Sequence, residues 1–161
     1  GKNILKIAGE YLKSLPVEST PAHPSAADLY GPIPEKAPRI TRTVNLDPSV
    51  VRWHSTGLYA APGEVVVLQF PEAWVNKGLK VQVSGHRDRI SVKKPLMRLP
   101  SSPARSFAVT QATVNVAAPF GGAIYIDTGN KQIKESNFQR RGCSVFCLGK
   151  NEGRRLEKLP S

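Results

Sequence analysis

Between Pro38 and Asp127 apolar and polar residues alternate in short runs, and this alternation is the main structural signal in the chain. Ile40, Arg42, Val44 and Leu46 alternate with Thr41, Thr43 and Asn45. Leu58-Tyr59-Ala60 precedes the turn dipeptide Pro62-Gly63, and Glu64 to Phe70 follows as a buried strand. Leu79, Val81 and Val83 alternate with Lys80 and Gln82, which predicts a strand with one wet face. Phe107, Val109 and Thr113 to Val116 continue the pattern, and Ala123 to Ile126 follows the pair Gly121-Gly122. A period of two sends successive side chains to opposite faces of a sheet, and turn residues recur roughly every 8 to 12 positions, which favours a sandwich or barrel. One helical interruption is predicted over Pro71 to Gly78, with proline at its first turn and glycine after its last.

The flanks have a different texture. From Lys2 to Leu15 apolar residues recur at intervals of three and four, the spacing of a one-faced helix, and Pro16 ends it. Six of the 14 prolines lie from Pro16 to Pro38, so this stretch is expected to be an extended connector. From Thr128 onward charge crowds the chain, with Ser144 to Leu148 as a last expected strand and a frayed tail beyond Gly149. The expected organisation is therefore an N-terminal helix (1–15), a proline-rich linker (16–37), a β module (38–149) and a tail (150–161). The expected fold class is mainly β, a jelly-roll-like β-sandwich with a short N-terminal helix and one short helical turn.

Composition narrows the picture. The 161 residues suffice for one domain with a real core, and 40% hydrophobic with 22% charged residues describes a globular protein. Apolar runs such as Val65 to Leu68 are far too short to span a membrane as a helix. The start, Gly1 to Glu10, has charges on both sides of a short apolar run and does not read as a secretory signal; an exported parent is expected to carry its signal upstream. The formal charge of +11 favours anionic partners. Its longest basic clusters are only pairs, Lys93-Lys94, Arg140-Arg141 and Arg154-Arg155, so no specific nucleic-acid partner is expected.

Candidate chemistry is sparse. Cys143 and Cys147 are the only cysteines, and His23, His54 and His86 are scattered, so no metal site and no cofactor are expected in this chain. The His-Glu-x-x-His helix of a zinc hydrolase is absent, as are a nucleophile elbow and a phosphate loop. One polar cluster, Ser84-Gly85-His86-Arg87-Asp88-Arg89, follows a predicted strand. It reads either as a turn with its own ion pairs or as a ligand contact made by His86, Arg87, Asp88 and Arg89. The guanidinium groups suit a carboxylate or sulfate. His86 beside Asp88 has the make-up of an oriented base, but no nucleophile or oxyanion site accompanies it. No catalytic residue is assigned. Trp53 and Trp74 are read as packing residues rather than a sugar-stacking platform.

Four blocks, in order, carry a family resemblance. They are Ser55-Thr56-Gly57-Leu58-Tyr59-Ala60-Ala61-Pro62-Gly63-Glu64, then Pro71-Glu72-Ala73, then Gly78 to Val83 with Gly85-His86-Arg87-Asp88, and finally Pro119-Phe120-Gly121-Gly122-Ala123-Ile124-Tyr125-Ile126. Over about residues 37–127 the chain resembles the β-rich N-terminal region of the enhancin-like, M60-like zinc metallopeptidases. The resemblance implies a parent that acts on mucin-type glycoproteins, outside the cell, at its surface or in the periplasm. It places zinc only in a catalytic domain downstream, so the matching residues here are scaffold. A related animal group, the channel-associated factors, carries a degenerate peptidase domain. The segment after Asp127 departs from the family pattern, being more charged than the strand expected there.

The function expected is thus a non-catalytic accessory module that supports its own downstream peptidase domain and contacts glycoprotein or mucin glycans. The alternative is a free-standing binding module for glycans or anionic polymers, working through its basic surface.

Overall fold

The computed structural model describes residues 10–12, 14–34, 36–47, 50–84, 104–129, 142–146 and 157–158. Among these the strands are β1 (Arg42–Asn45), β2 (Trp53–Ala60), β3 (Val66–Gln69), β4 (Lys80–Val83), β5 (Arg105–Ala108), β6 (Thr113–Val116), β7 (Gly122–Asp127), β8 (Gly142–Phe146) and β9 (Glu157–Lys158). They pair antiparallel in two sheets, ordered β1-β8-β3-β6 and β5-β4-β7-β2-β9. From β1 to β8 the chain crosses between sheets at every step except the β4–β5 neighbours. That order is the jelly roll, a two-sheet solution to the problem of exposed strand edges. The mainly β, jelly-roll-like sandwich expected from the alternation is the fold observed.

The alternation also fixes which side chains fill the interior. Leu58 and Ala60 of β2, Val66 and Leu68 of β3, Val81 and Val83 of β4, Val114 and Val116 of β6, and Ile124 and Ile126 of β7 form one buried cluster. Each fully buried side chain of this kind contributes about 1.5–3 kcal/mol. Trp74, only 2% exposed, joins them from the single 3₁₀ turn Glu72–Trp74, in line with the helical interruption expected there. Pro71 begins this turn and accepts the Trp74 amide at 2.9 Å.

Strand β2 is irregular in its middle. Ser55 pairs with Tyr125 and Tyr59 with Ala123, so β2 holds two more residues than β7 over this stretch. The side chain of Thr56 replaces the lost ladder: its hydroxyl donates to the Ile124 carbonyl at 2.8 Å and accepts the Leu58 amide at 3.2 Å. Because the excess is even, Trp53 and Ser55 keep the face that Tyr59 has, and Leu58 and Ala60 stay inside.

The flanks differ from expectation. Of the helix expected over Lys2 to Leu15, residues 10–12, 14 and 15 are described; 10–12 and 14 are helical, and Leu15 is already a bend. The proline-rich stretch contains a 3₁₀ turn, Val17–Ser19, and a short helix α1 (Ala26–Tyr30). Prolines bracket these turns without interrupting them, and Ser25 to Tyr30 carries none. The stretch packs on the sandwich, with Thr20, Ala26 and Ala37 buried. The last expected strand is present as β8, shifted toward Gly142, and Cys147 and Leu148 lie outside the described residues. In the expected frayed tail, Glu157 and Lys158 pair with Tyr59 and Leu58 at the free edge of β2.

Candidate interaction surface

The four residues singled out in the sequence, His86, Arg87, Asp88 and Arg89, lie outside the described residues. The strand that leads to them ends at Val83, which pairs with Arg105 of β5. Ser84 beyond it is buried, with a positive φ of 73°. The described residues do not fit a zinc site. His23 Nδ1 accepts the Ser25 amide at 3.1 Å, and His54 Nε2 donates to the Val50 carbonyl at 2.9 Å. Among the described residues no three His, Cys, Asp or Glu side chains converge.

The first and the last of the family-like blocks meet at one corner of the sandwich. The loop after β2 (Ala61-Pro62-Gly63-Glu64) and the loop before β7 (Pro119-Phe120-Gly121) are tied by Gly63 N–H to the Ala118 carbonyl at 2.9 Å. The proline-rich stretch closes over both. The His23 amide donates to the Pro119 carbonyl at 2.7 Å, and its ring stacks on Phe120 with centroids 4.2 Å apart. Ala22 passes so close to Gly63 that a Cβ on that glycine would collide with it. Further along, Arg105 at the start of β5 donates to the Leu15 carbonyl at 3.0 Å and to the Thr20 hydroxyl at 2.8 Å, while its guanidinium lies 5.0 Å from the centre of the Phe107 ring. Burial draws the Arg105 pKa below the usual guanidinium value. The corner spends its polar groups on scaffolding.

Arg105 gives this strap a measurable signature. Arg105→Met keeps the aliphatic stem over Phe107 and removes two charged hydrogen bonds, so a loss of about 2 kcal/mol is expected. A urea midpoint measures it. Limited proteolysis, with faster cutting near Thr20 in the variant, ties the loss to the strap. A variant that loses stability with the strap still protected would place the guanidinium's contribution elsewhere.

The outer face of the five-stranded sheet is different in character. Register aligns Lys80, Asp127 and Trp53 in one row across β4, β7 and β2, and Gln82, Tyr125 and Ser55 in the next. Trp53 and Tyr125 sit diagonally and meet edge to face, with centroids 5.4 Å apart and planes at 74°. Trp53 is 40% exposed, and Val50 and Val51, just before it, are 53% and 39% exposed. Trp74 is packed in the core, and Trp53 packs half-buried against Tyr125 on the outer face, with part of its indole open to solvent. Parity along β2 carried that signal, since an inward Leu58 and Ala60 put odd-numbered Trp53 outside.

The loop that leads into Trp53 is held from several sides. The Arg52 amide donates to the Gly129 carbonyl at 2.9 Å, and the Thr128 amide donates to the Arg52 carbonyl at 3.0 Å. The Thr128 hydroxyl donates to the Val50 carbonyl at 2.9 Å. Arg52 itself has φ of 78°, a conformation unusual for a residue with a long side chain. The contacts around it maintain that strain, an arrangement that recurs at ligand clamps and binding loops.

Comparison with known proteins places this framework. Over 93 residues, 57% of the chain, it is 40% identical to a TRPM8 channel-associated factor homolog from Xenopus laevis. Over 84 residues it is 31% identical to TRPM8 channel-associated factor 3 from Mus musculus, and over 108 residues 31% identical to TRPM8 channel-associated factor 1 from Homo sapiens. It spans only 10%, 9% and 12% of the lengths of these relatives. A solved structure, of a functionally unknown conserved protein from Bacillus anthracis str. Ames, is similar over 72% of the chain and 22% of its own, with a TM-score of 0.44 and 15% identity. The model of the N-terminal domain of M60-like peptidases matches residues 35–139, about two thirds of the chain, and the chain belongs to that family.

Proposed function

We propose that the chain is a non-catalytic accessory module of a longer M60-like protein, one that supports the rest of that protein and contacts a glycoprotein partner. The observation that carries this reading is how the family-like residues are used. Thr56 repairs an irregular strand, Gly63 and Gly121 admit close backbone contacts, and Phe120 seats the strap. None of them is placed for acid–base or nucleophilic chemistry, which needs a base, a nucleophile and an oxyanion site in mutual reach. The catalytic part and its zinc belong, in this reading, to a downstream domain. The relatives are named as channel-associated factors, which supports contact as the work of such a module.

The formal charge of +11 supports a second reading, a module for anionic polymers that binds through its basic surface. Salt separates the two, because contacts between exposed charges weaken as screening grows. The test is to give the full chain a purified mucin-type glycoprotein with zinc present, at low and high ionic strength. Binding without cleavage that survives salt is the expected outcome. Turnover abolished by a chelator would overturn the non-catalytic reading. Binding to heparin and mucin alike that collapses in salt would establish the anionic-polymer reading instead.

A further inference from the structure

The outer face of the five-stranded sheet brings aromatic and polar side chains together. In an area of two register rows it presents an indole and a phenol in edge contact, a carboxylate, an ammonium and a hydroxyl, from Trp53, Tyr125, Asp127, Lys80 and Ser55. Val50, Val51 and Trp53 are three of the four exposed large hydrophobics among the described residues, and they are adjacent in the chain. The backbone beneath is pre-organised: strained Arg52 is fixed through Gly129 and Thr128, and Asp127 Oδ1 accepts the Gly129 amide at 2.8 Å, which orients the carboxylate. A site ordered before its ligand arrives loses less entropy on binding.

The size of the patch bears on what covers it. Among the described residues its exposed large apolar side chains are only three, Val50, Val51 and Trp53, and polar groups make up the rest of the two register rows. The pattern suits a small, flat, amphipathic ligand. A pyranose ring has one face of C–H groups, which packs on an aromatic face, and a rim of hydroxyls, which need donors and acceptors in the plane beside it. Trp53, the more exposed of the pair, supplies the first, with Tyr125 set edge to face against it, and Asp127, Lys80 and Ser55 supply the second. Jelly rolls are among the frameworks of lectin domains.

We infer that the Trp53–Tyr125 platform is a carbohydrate-binding site that stacks a pyranose ring of a glycan on the outer face of the five-stranded sheet. The inference rests on the reading of the chain as a glycoprotein-contacting module and assigns that contact a place and a ligand chemistry. Asp127 and Ser55 are the groups that hydrogen-bond sugar hydroxyls, and Arg52 shapes the loop that presents the platform.

The chain's two tryptophans make the test direct. Trp74 is buried in the core, so a change in indole emission on adding ligand reports Trp53. The full chain would be titrated with a purified secreted mucin and with the same mucin after enzymatic removal of its glycans. Wild type is expected to bind the glycosylated form, with a shift in emission, and to ignore the stripped form. Trp53→Ala should weaken binding about tenfold or more, as loss of a central aromatic anchor does, while Trp53→Phe keeps part of the affinity. Trp53 faces solvent, so these variants should fold, and an unchanged urea midpoint checks that they do. Equal binding of both mucin forms would overturn the inference in favour of a polypeptide occupant. Glycan binding unchanged in Trp53→Ala would remove the platform and leave the contact reading standing. No binding of either mucin by wild type would remove the contact reading itself.

Discussion

Gly121→Ala is expected to cost about 3 kcal/mol or more, a large part of the 5–15 kcal/mol that usually separates folded from unfolded chains. Two independent penalties combine. Gly121 has φ of 65°, where an L side chain costs about 1–2 kcal/mol. A Cβ at this position would also run into the Ala60 carbonyl oxygen, Ala61 and the Pro62 nitrogen, all of them backbone. Backbone cannot swing aside as a flexible side chain can, and forced shifts in a packed region cost about 1–3 kcal/mol. Gly129 is the control. Its φ of 78° imposes a similar conformational penalty, but a Cβ there meets nothing within 4 Å. Gly129→Ala should therefore cost only about 1–2 kcal/mol. The two urea midpoints, compared at equal m-value, isolate the steric part. Equal midpoints would mean that β7 does not enter as close to the β2–β3 loop as described.

That corner explains why a run such as Pro119-Phe120-Gly121-Gly122 specifies so much structure. Gly121 admits the loop after β2, and at Gly122 a Cβ would press on Ser84 beyond β4. Phe120 carries the ring of His23. Four separate pieces of chain thus meet around four residues. Such a constellation has no periodicity of its own, and it was legible only as a resemblance between ordered blocks. Its roles are all structural.

Several strands were legible because polar residues alternate with apolar ones along them. Lys80-Val81-Gln82-Val83 and Thr113-Val114-Asn115-Val116 announce their inward residues by alternation, and the core cluster holds those valines. The strap was not legible. Prolines predict broken ladders, and they do break them, but they say nothing about whether a segment docks. Docking here depends on partners far away in sequence, Arg105 for Thr20 and Pro119 for His23. Gln82 shows the same limit: it falls in the polar register of β4, yet it is buried and donates to the Ser84 carbonyl at 2.8 Å.

The candidate site divides in a similar way. The polar cluster from His86 to Arg89 stood out by residue type, and it lies outside the described residues. The aromatic platform stood out only weakly, since a lone tryptophan in a β domain usually packs inside. What decides Trp53 is parity, and parity could be trusted only once the irregularity in β2 was known to involve an even number of residues. A single inserted residue would have turned the indole toward the core. The bulge therefore links the scaffold to the surface: Thr56 keeps β2 in register and, through that register, keeps Trp53 beside Tyr125.

Arg39→Ala should destabilise the chain by about 3 kcal/mol, and more than Glu64→Ala does, although the two residues form one ion pair. Arg39 Nη2 lies 2.7 Å from Glu64 Oε1, and the pair pins the approach to β1 onto the loop after β2. Their surroundings are unequal: the Glu64 side chain is 3% exposed, and the Arg39 side chain is 27% exposed. Removing Arg39 takes this guanidinium away from a carboxylate that stays buried, a charge held away from water. Removing Glu64 leaves a guanidinium that can turn toward solvent and recover its hydration, so its loss should be nearer 1–2 kcal/mol. The double variant, with neither charge present, should be more stable than Arg39→Ala alone, because the buried carboxylate has been removed. A double-mutant cycle on urea midpoints measures all three values. Additive single losses, or a larger loss for Glu64→Ala, would show that the carboxylate is not held in the dry corner that gives the pair its strength.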